Sequence, residues 1–219
     1  MATRQVLADL VAQFERTSPR RVSTESVGGV DAAKRVQAGE AFDAVVLAAN
    51  AIDQLIAAGR LVAGSRVDLV NSGVAVAVRA GSARPDIGTE DSLKCAVLAA
   101  PSIGFSTGPS GVQLANLFDR WGIAEQIKGR LVQAPPGVPV GLLVARGEVA
   151  LGFQQLSELM NLAGIEVLGP LPAAVQIITT FSGGVAATSN QADAVRDMLM
   201  FMAAPASADV KRRNGMAPA

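Results

Sequence analysis

The fold of this chain is decided by residues 32–61, which read AAKRVQAGEAFDAVVLAANAIDQLIAAGRL. Amphipathic spacing predicts a helix that stops at Gly39, where glycine suits the left-handed end of a helix. The apolar run from Phe42 to Ala48 predicts a buried strand, and residues 51–58 predict a second helix that stops at Gly59. A helix, a buried strand and a helix in succession are typical of an α/β fold.

The same alternation of strands and helices extends over the rest of the chain. Residues 102–106 and 149–154 predict strands that are each followed by a helix, whereas the β-rich run at 67–78 and the extended segment at 172–182 interrupt the rhythm. These two interruptions indicate two chain crossings and hence two lobes. We predict that each lobe is a mostly parallel sheet flanked by helices, with residues 1–79 and 175–219 in the first lobe and residues 80–174 in the second.

The composition excludes several classes of chemistry. The chain of 219 residues has no His, no Tyr and one Cys, and its 19 Lys and Arg balance its 19 Asp and Glu. Without His there is no Ser-His-Asp triad and no imidazole ligand for a metal, and a single Cys95 cannot close an internal disulfide. Balanced charge and few aromatic residues do not favour nucleic-acid binding. We expect no metal and no cofactor.

Membrane and export signals are absent from the sequence as it stands. No run of 18 or more apolar residues predicts a transmembrane helix, so direct membrane insertion is not expected. The first residues, MATRQVLADLVAQFER, lack the basic start and apolar stretch of a signal peptide. The sequence as written predicts a cytoplasmic protein, and a missing N-terminal segment would make it periplasmic.

The strongest local signal for a ligand is the junction between a predicted strand and a helix at residues 106–111. Such a junction, with Pro109 near the first helical position, presents backbone N–H groups and the positive end of a helix dipole. A carboxylate or a tetrahedral oxyanion would fit there, although helix capping alone would explain the same residues. The residues predicted to bind it are Ser106, Thr107, Gly108, Ser110 and Gly111.

Two further segments are candidates for ligand contacts. Ser26, Gly28 and Gly29 join a predicted short strand at residues 21–26 to a helix, and glycines there allow positive φ and a close backbone approach. Gln154 and Gln155 follow a predicted strand, and an amide both donates and accepts hydrogen bonds. Ordinary turn formation and a solvated strand end are the alternative interpretations.

Single residues complete the candidate set. Thr3 and Arg4 start the first helix, and a guanidinium can bind a carboxylate with two hydrogen bonds. Thr180 lies near the second predicted crossing. For proton transfer, Glu25 and Asp31 are weak candidates because they border the junction at residues 26–29.

Four segments, in this order, resemble type II periplasmic solute-binding proteins, and the molybdate-binding branch in particular. Within residues 32–61 the matching pieces are Gln37-Ala38-Gly39, Phe42-Asp43 and Leu55-Ile56-Ala57-Ala58-Gly59. The other segments are STGPSGVQLANLFDRWGI at 106–123, VARGEVALGF at 144–153 and FMAAPASADVKRRNGM at 201–216.

The resemblance implies a two-lobe fold with two hinge crossings and a cleft between the lobes that captures a small anion. It also implies the membrane component of an ABC transporter as a partner, if the protein is exported. Gly29-Val30 and Ala48-Ala49 stand where molybdate binders carry serines, and the ligand-contacting Tyr is absent, which argues against molybdate. An organic carboxylate or another oxyanion is the expected ligand.

Three functions remain open at this level. The first is a solute-binding protein, which needs no acid, base or metal. The second is an isomerase of a small unsaturated di- or tricarboxylate on the same fold. A few relatives in this superfamily resemble such isomerases, and the reaction needs a positioned base. The third is the effector-sensing domain of a regulator, although no DNA-binding segment precedes the lobes. Whether the protein is an enzyme stays open, with binding favoured.

Overall fold

The computed structural model describes all residues from Met1 to Ala219. The first half of the chain contains α1 (Arg4–Thr17), α2 (Gly29–Gln37), β1 (Ala44–Ala48), α3 (Ala49–Ala57), β2 (Val67–Arg79), α4 (Glu90–Ala99), β3 (Ile103–Phe105) and α5 (Pro109–Arg120). The second half contains α6 (Ala124–Ile127), β4 (Leu131–Gln133), α7 (Val140–Ala145), β5 (Leu151–Gln155), α8 (Leu156–Leu159), β6 (Ile165–Pro170), β7 (Ile178–Val185), α9 (Ala192–Ala203), α10 (Ala208–Arg213) and β8 (Met216–Pro218). The predicted α/β class is confirmed.

The chain divides into two compact units. Unit 1 comprises Met1–Ser72 and Thr179–Ala219, and unit 2 comprises Gly73–Ile178. The first division therefore falls inside β2, whereas the sequence placed it after residue 79. The physical reason is that β2 changes partners along one uninterrupted strand: Val70, Asn71 and Ser72 pair with β8, and residues from Val74 onward pair with β5. Asn71-Ser72-Gly73 interrupts the apolar run at that change, but the strand itself continues through these residues.

Unit 1 is built on antiparallel strand pairs covered by helices. β1 pairs with β7 over Ala44–Ala48 and Phe181–Val185, and the first part of β2 pairs with β8. Apolar residues of α1, α9 and α10 pack together on this sheet. Phe14 of α1 and Phe201 of α9 meet edge to face with ring centroids 5.4 Å apart.

Unit 2 combines parallel and antiparallel pairs. β3 pairs in parallel with β4 and with β5, as expected for strands joined through helices. β2 runs antiparallel to both β5 and β6. The expectation of mostly parallel sheets is thus corrected to a mixed arrangement. Neighbouring strands are parallel only where a helical connection returns the chain to the same end of the sheet. In unit 2 this is the case for β3, β4 and β5.

Several local predictions can be compared directly with the structure. Thr89 is a threonine at the N-cap of α4, a residue type favoured there: its Oγ1 accepts from the Ser92 backbone N–H at 3.1 Å, and the Ser92 hydroxyl accepts from the Thr89 N–H at 3.0 Å. Residues 21–26 belong to no helix or strand, so the predicted short strand there is wrong. The extended segment expected at 172–182 overlaps one strand, β7, which continues to Val185.

Glycines let α7 lie directly on β3 and β5. A Cβ added to Gly104 would stand 2.7 Å from a methyl group of Val149 and 3.0 Å from one of Val140. A Cβ on Gly152 would stand 2.5 Å from a Val144 methyl group. Those valines are β-branched and rigid at χ1, so they have little room to move. The spacing of this layer therefore depends on the absence of side chains at both strands.

We expect Gly152→Ala to reduce the free energy of unfolding by about 1–3 kcal/mol, because the added methyl group overpacks the layer between α7 and β5. Gly129→Ala is the matched control, since a Cβ there meets nothing within 4 Å; it should stay within ~0.5 kcal/mol of the wild type. Urea unfolding followed by circular dichroism measures both. Equal stability of the two variants would contradict the packing described above.

Candidate functional site

The strongest candidate residues in unit 2 gather at one edge of its sheet. β3 and β5 are parallel neighbours, with Ile103 opposite Leu151 and Gly104 opposite Gly152. Continuing that register by two residues brings Ser106 level with Gln154. The carboxyl ends of parallel strands are where α/β proteins commonly bind ligands. By this register the loop at 106–111 and the two glutamines follow neighbouring strand ends, while their contact with a ligand stays a prediction.

The loop at residues 106–111 is a compact turn into α5. Gly108 is the N-cap, and its carbonyl oxygen accepts from the N–H groups of Gly111 at 3.0 Å and Val112 at 3.3 Å. The hydroxyl oxygens of Ser106 and Ser110 lie 3.3 Å apart. Ser110 is buried, whereas Thr107 is exposed. Two hydroxyl groups thus stand beside the N-terminal end of a helix of 12 residues.

Gly111 is required by the geometry of this loop. A Cβ at this position would stand 1.8 Å from the Ser106 carbonyl oxygen and 2.9 Å from its carbonyl carbon. These are backbone atoms, so no rotamer change can relieve the overlap. This requirement is structural, and the predicted ligand contact of Gly111 stays a prediction. A Cβ on Gly108 would meet Ser106 Oγ at an ordinary 3.7 Å.

Gln154 organises the other side of the edge. Its side chain is 3% exposed, and its Oε1 accepts from the Gly141 backbone N–H at 3.3 Å. The Gln154 side chain also forms a hydrogen bond with the carboxyl group of Glu158. With the oxygen bound to Gly141, the NH2 group is the part that donates to Glu158. Gln155, the last residue of β5, is buried beside it.

Glu158 is a functional candidate that the sequence reasoning missed. It lies on α8, the short helix that follows β5 directly, and it is half-buried. Burial raises the pKa of its carboxyl group above the ordinary value, and a positive charge and the hydrogen bond from Gln154 oppose this only in part. The sequence does contain a clue to Glu158, because in the stretch Leu156-Ser157-Glu158-Leu159 an acidic residue stands between leucines. Only the contact with Gln154, however, shows where this carboxyl group lies in the structure.

The candidates in unit 1 form a separate group. The backbone nitrogen of Met1 donates to the Val27 carbonyl oxygen at 3.4 Å, which brings the start of α1 next to the segment at 26–29. Thr3 is the buried N-cap of α1 and Arg4 is exposed at its first turn. Ser26 is also exposed. Thr3, Arg4 and the junction at 26–29 are therefore neighbours within this unit.

The glycines at the second junction do not have the conformation that motivated their selection. Gly28 is the N-cap of α2 with φ at −57°, and Gly29 is the first helical residue. Neither has a positive φ. A Cβ on Gly29 would meet only a Leu47 methyl group at 3.8 Å. The expected need for positive φ is wrong here, because the chain enters α2 through an ordinary extended residue.

The remaining candidates in unit 1 are held by structural partners. Thr180 donates its hydroxyl hydrogen to Asn71 Oδ1 at 2.7 Å. Both guanidinium nitrogens of Arg35 bind Glu25, at 2.6 and 2.9 Å, and this ion pair lowers the pKa of the Glu25 carboxyl. A carboxylate so stabilised is a weak proton acceptor, which counts against Glu25 as a base. Asp31 is exposed in the first turn of α2.

A cavity of about 250 Å³ lies elsewhere in unit 2, between α5 and the segment at 174–177. Its polar lining comes from Gln113, Asn116, Arg120 and Gln176, and none of the predicted residues contributes to it. Gln176 Oε1 accepts from the backbone N–H groups of Val74 and Ile177, so this amide has a structural role.

No group of three or more Cys, Asp or Glu side chains is placed to hold a metal ion. None of the helices is long and apolar enough to cross a bilayer.

Comparison with known proteins gives a consistent result. Residues 1–217 match a family model described as bacterial extracellular solute-binding protein. The chain is 38% identical over 187 residues to an aconitate isomerase from a Pseudomonas species, a match that covers 84% of this chain and 70% of that protein.

Two solved structures share the fold. The periplasmic molybdate-binding protein of Azotobacter vinelandii superposes with a TM-score of 0.79 at 18% identity, covering 99% of this chain and 95% of that one. A substrate-binding domain assigned to a molybdenum ABC transporter of Clostridium difficile superposes with a TM-score of 0.76 at 15% identity, covering 100% and 95%. At these identities the likeness concerns the fold alone.

We expect Gly111→Ala to lower the melting temperature measurably, because the new Cβ overlaps the Ser106 carbonyl group and forces the loop to move. Gly108→Ala removes a glycine from the same loop without such an overlap, and it should melt within about 2 °C of the wild type. Differential scanning calorimetry on both variants tests the difference. Indistinguishable melting curves would mean that the loop at 106–111 adapts without strain.

Proposed function

The chain belongs to the family of bacterial extracellular solute-binding proteins, and from this premise we propose that it binds a small organic polycarboxylate at the loop at residues 106–111. The family and the fold confirm the resemblance to type II periplasmic solute-binding proteins, the molybdate-like branch included. The observation that carries the proposal is the construction of that loop. It has two hydroxyl groups, a helix N-terminus and Gly111, where any side chain would overlap the backbone of Ser106.

The chemistry of the loop favours an anion. Backbone N–H groups at the start of α5 and the hydroxyls of Ser106 and Ser110 are donors, and the helix dipole adds positive potential. Hydrogen bonds from neutral donors to a carboxylate are stronger than those to a neutral ligand. The zero net charge of the chain means that selectivity for an anion has to arise locally, at this loop.

The neighbouring groups favour a carboxylate over a tetrahedral oxyanion. The amide side chains of Gln154 and Gln155 are buried at the end of β5 and make this edge of the sheet polar. Burial raises the pKa of the Glu158 carboxyl group, so the negative charge that would repel a bound anion is less favoured there than at an exposed glutamate. The similarity to an aconitate isomerase supports a tricarboxylate of the aconitate class as the ligand.

We expect cis-aconitate, trans-aconitate or citrate to stabilise the protein, and molybdate and sulfate to do so much less. A ligand that binds only the folded state adds about 2.7 kcal/mol of stability at a concentration of 100 times its Kd, which a thermal-shift assay detects readily. Isothermal calorimetry then measures the Kd. The proposal fails if no carboxylate in this series shifts the unfolding transition.

Ser110→Ala should weaken carboxylate binding by roughly tenfold or more, because a hydrogen bond to a charged group contributes about 1.5–3 kcal/mol. Ser82→Ala is the matched control: Ser82 is exposed in the turn after Arg79, at the opposite edge of the same sheet. It should leave the Kd unchanged. Equal affinities for the two variants would remove Ser110 from the site.

A second candidate function is the isomerisation of an unsaturated polycarboxylate. The specific observation in its favour is the similarity to aconitate isomerase, which extends over most of both chains. The enzyme would differ from a binding protein only in holding a group that moves a proton. The transporter partner and the cellular location stay predictions of the sequence, as does the regulator alternative.

Incubation with trans-aconitate should produce cis-aconitate, and incubation with cis-aconitate should produce trans-aconitate. Both reactions should end at the same ratio of the two isomers. Proton NMR follows the two vinyl signals directly. A boiled sample and the same buffer without protein control for spontaneous isomerisation. If both isomers bind and neither converts, the protein is a binding protein and the second candidate is excluded.

A further inference from the structure

Glu158 has a fixed position at the carboxyl end of β5. α8 follows β5 without an intervening loop, so the location of Glu158 is set by the end of that strand. Leu159, the next residue, is fully buried and anchors the short helix against β2 and β6. The acid cannot move away from the edge of the sheet without extracting that leucine.

A chain of hydrogen bonds orients the carboxyl group. The Gly141 N–H donates to Gln154 Oε1 at 3.3 Å, and the Gln154 amide bonds to Glu158. The glycines that let α7 lie on the sheet therefore determine where Gly141 stands and, through Gln154, how Glu158 is held. Such support from a second layer of residues is typical of groups that take part in chemistry.

The same edge carries the donors that an isomerisation would need. The parallel register places Ser106, the first residue after β3, level with Gln154 on β5. A ligand carboxylate bound at residues 106–111 is then next to the strand end that leads to Glu158. Negative charge that develops on such a carboxylate during proton removal would be stabilised by the hydroxyls and the helix N-terminus.

We propose that Glu158 is the residue that transfers the proton in the isomerisation of an unsaturated polycarboxylate bound at residues 106–111, an inference that rests on the carboxylate ligand proposed above. The ionised carboxyl removes a proton from the CH2 carbon next to the double bond. The C–H electron pair forms a new C=C bond, and the electrons of the old double bond move to its far carbon. That carbon takes the proton back from Glu158, so no oxidant, reductant or cofactor is consumed.

The required properties agree with the surroundings of Glu158. A group that both takes and returns a proton works best when its pKa lies nearer to neutrality than that of an exposed glutamate. Glu25, the weak candidate from the sequence, has the opposite environment, because Arg35 holds it ionised. The acid on α8 replaces it as the base that the isomerase alternative needs.

The test compares the full-length wild type with Glu158→Gln in D2O, using cis- and trans-aconitate as probes. NMR follows interconversion of the isomers and the uptake of deuterium at the CH2 carbon, and calorimetry measures the Kd. We expect the variant to bind within about threefold of the wild type and to lose both reactions by a factor of roughly 10²–10⁴. Thermal melting verifies that the variant folds.

Two further variants make the result specific. Glu148→Gln changes an exposed acid before the start of β5, at the other end of that strand, and should keep full activity. Glu158→Asp keeps the carboxyl group but withdraws it by one methylene, so it should bind normally and react more slowly; it replaces Glu158→Gln if that variant does not fold.

The possible outcomes separate the two proposals. Undiminished exchange in Glu158→Gln overturns the role of Glu158, as does a wild type that binds aconitate but neither exchanges nor converts it. The second result leaves the carboxylate-binding proposal in place. A wild type that binds none of the carboxylates refutes the binding proposal itself and the inference that rests on it.

Discussion

The close contact of α7 with β3 and β5 is the constraint on which the proposed site in unit 2 depends. Gly104 and Gly152 leave no side chain between the strands and the valines of the helix. The helix therefore starts close enough for the Gly141 N–H to reach Gln154 on the strand. Any larger residue at these glycines would move the start of α7 and with it the amide that holds Glu158.

The same chemical group has opposite properties in two places in this chain. Glu25 is exposed and bound by both guanidinium nitrogens of Arg35, so its pKa falls and it stays a carboxylate. Glu158 is half-buried and has no bidentate arginine partner, and burial raises its pKa despite the opposing effect of the hydrogen bond from Gln154. An opposite charge favours the ionised form, while burial disfavours it. Proton transfer is therefore expected at α8 and not at the segment before α2.

Some of this organisation could be predicted from the sequence, because it depends on neighbours along the chain. The α5 junction, the capping of α4 by Thr89 and the strand at β2 follow from apolar spacing and from turn and cap residues. The short strand at 21–26 was wrong because alternation shows an extended backbone but cannot show whether a partner strand is present. The expected parallel pairing failed in unit 1 for the same reason.

The candidate site can likewise be separated into features that the local sequence determines and features that depend on tertiary contacts. The sequence by itself determined the α/β class, the family resemblance and the donor-rich loop at 106–111, since these depend on local pattern and residue type. Only the tertiary structure decided that Gln154 bonds to Gly141 and Glu158, that Gly111 lies against the Ser106 carbonyl group, and that Arg35 neutralises Glu25. The physical reason is that hydrogen bonding, burial and pKa depend on groups brought close by strand register and helix packing, which residue order alone does not specify.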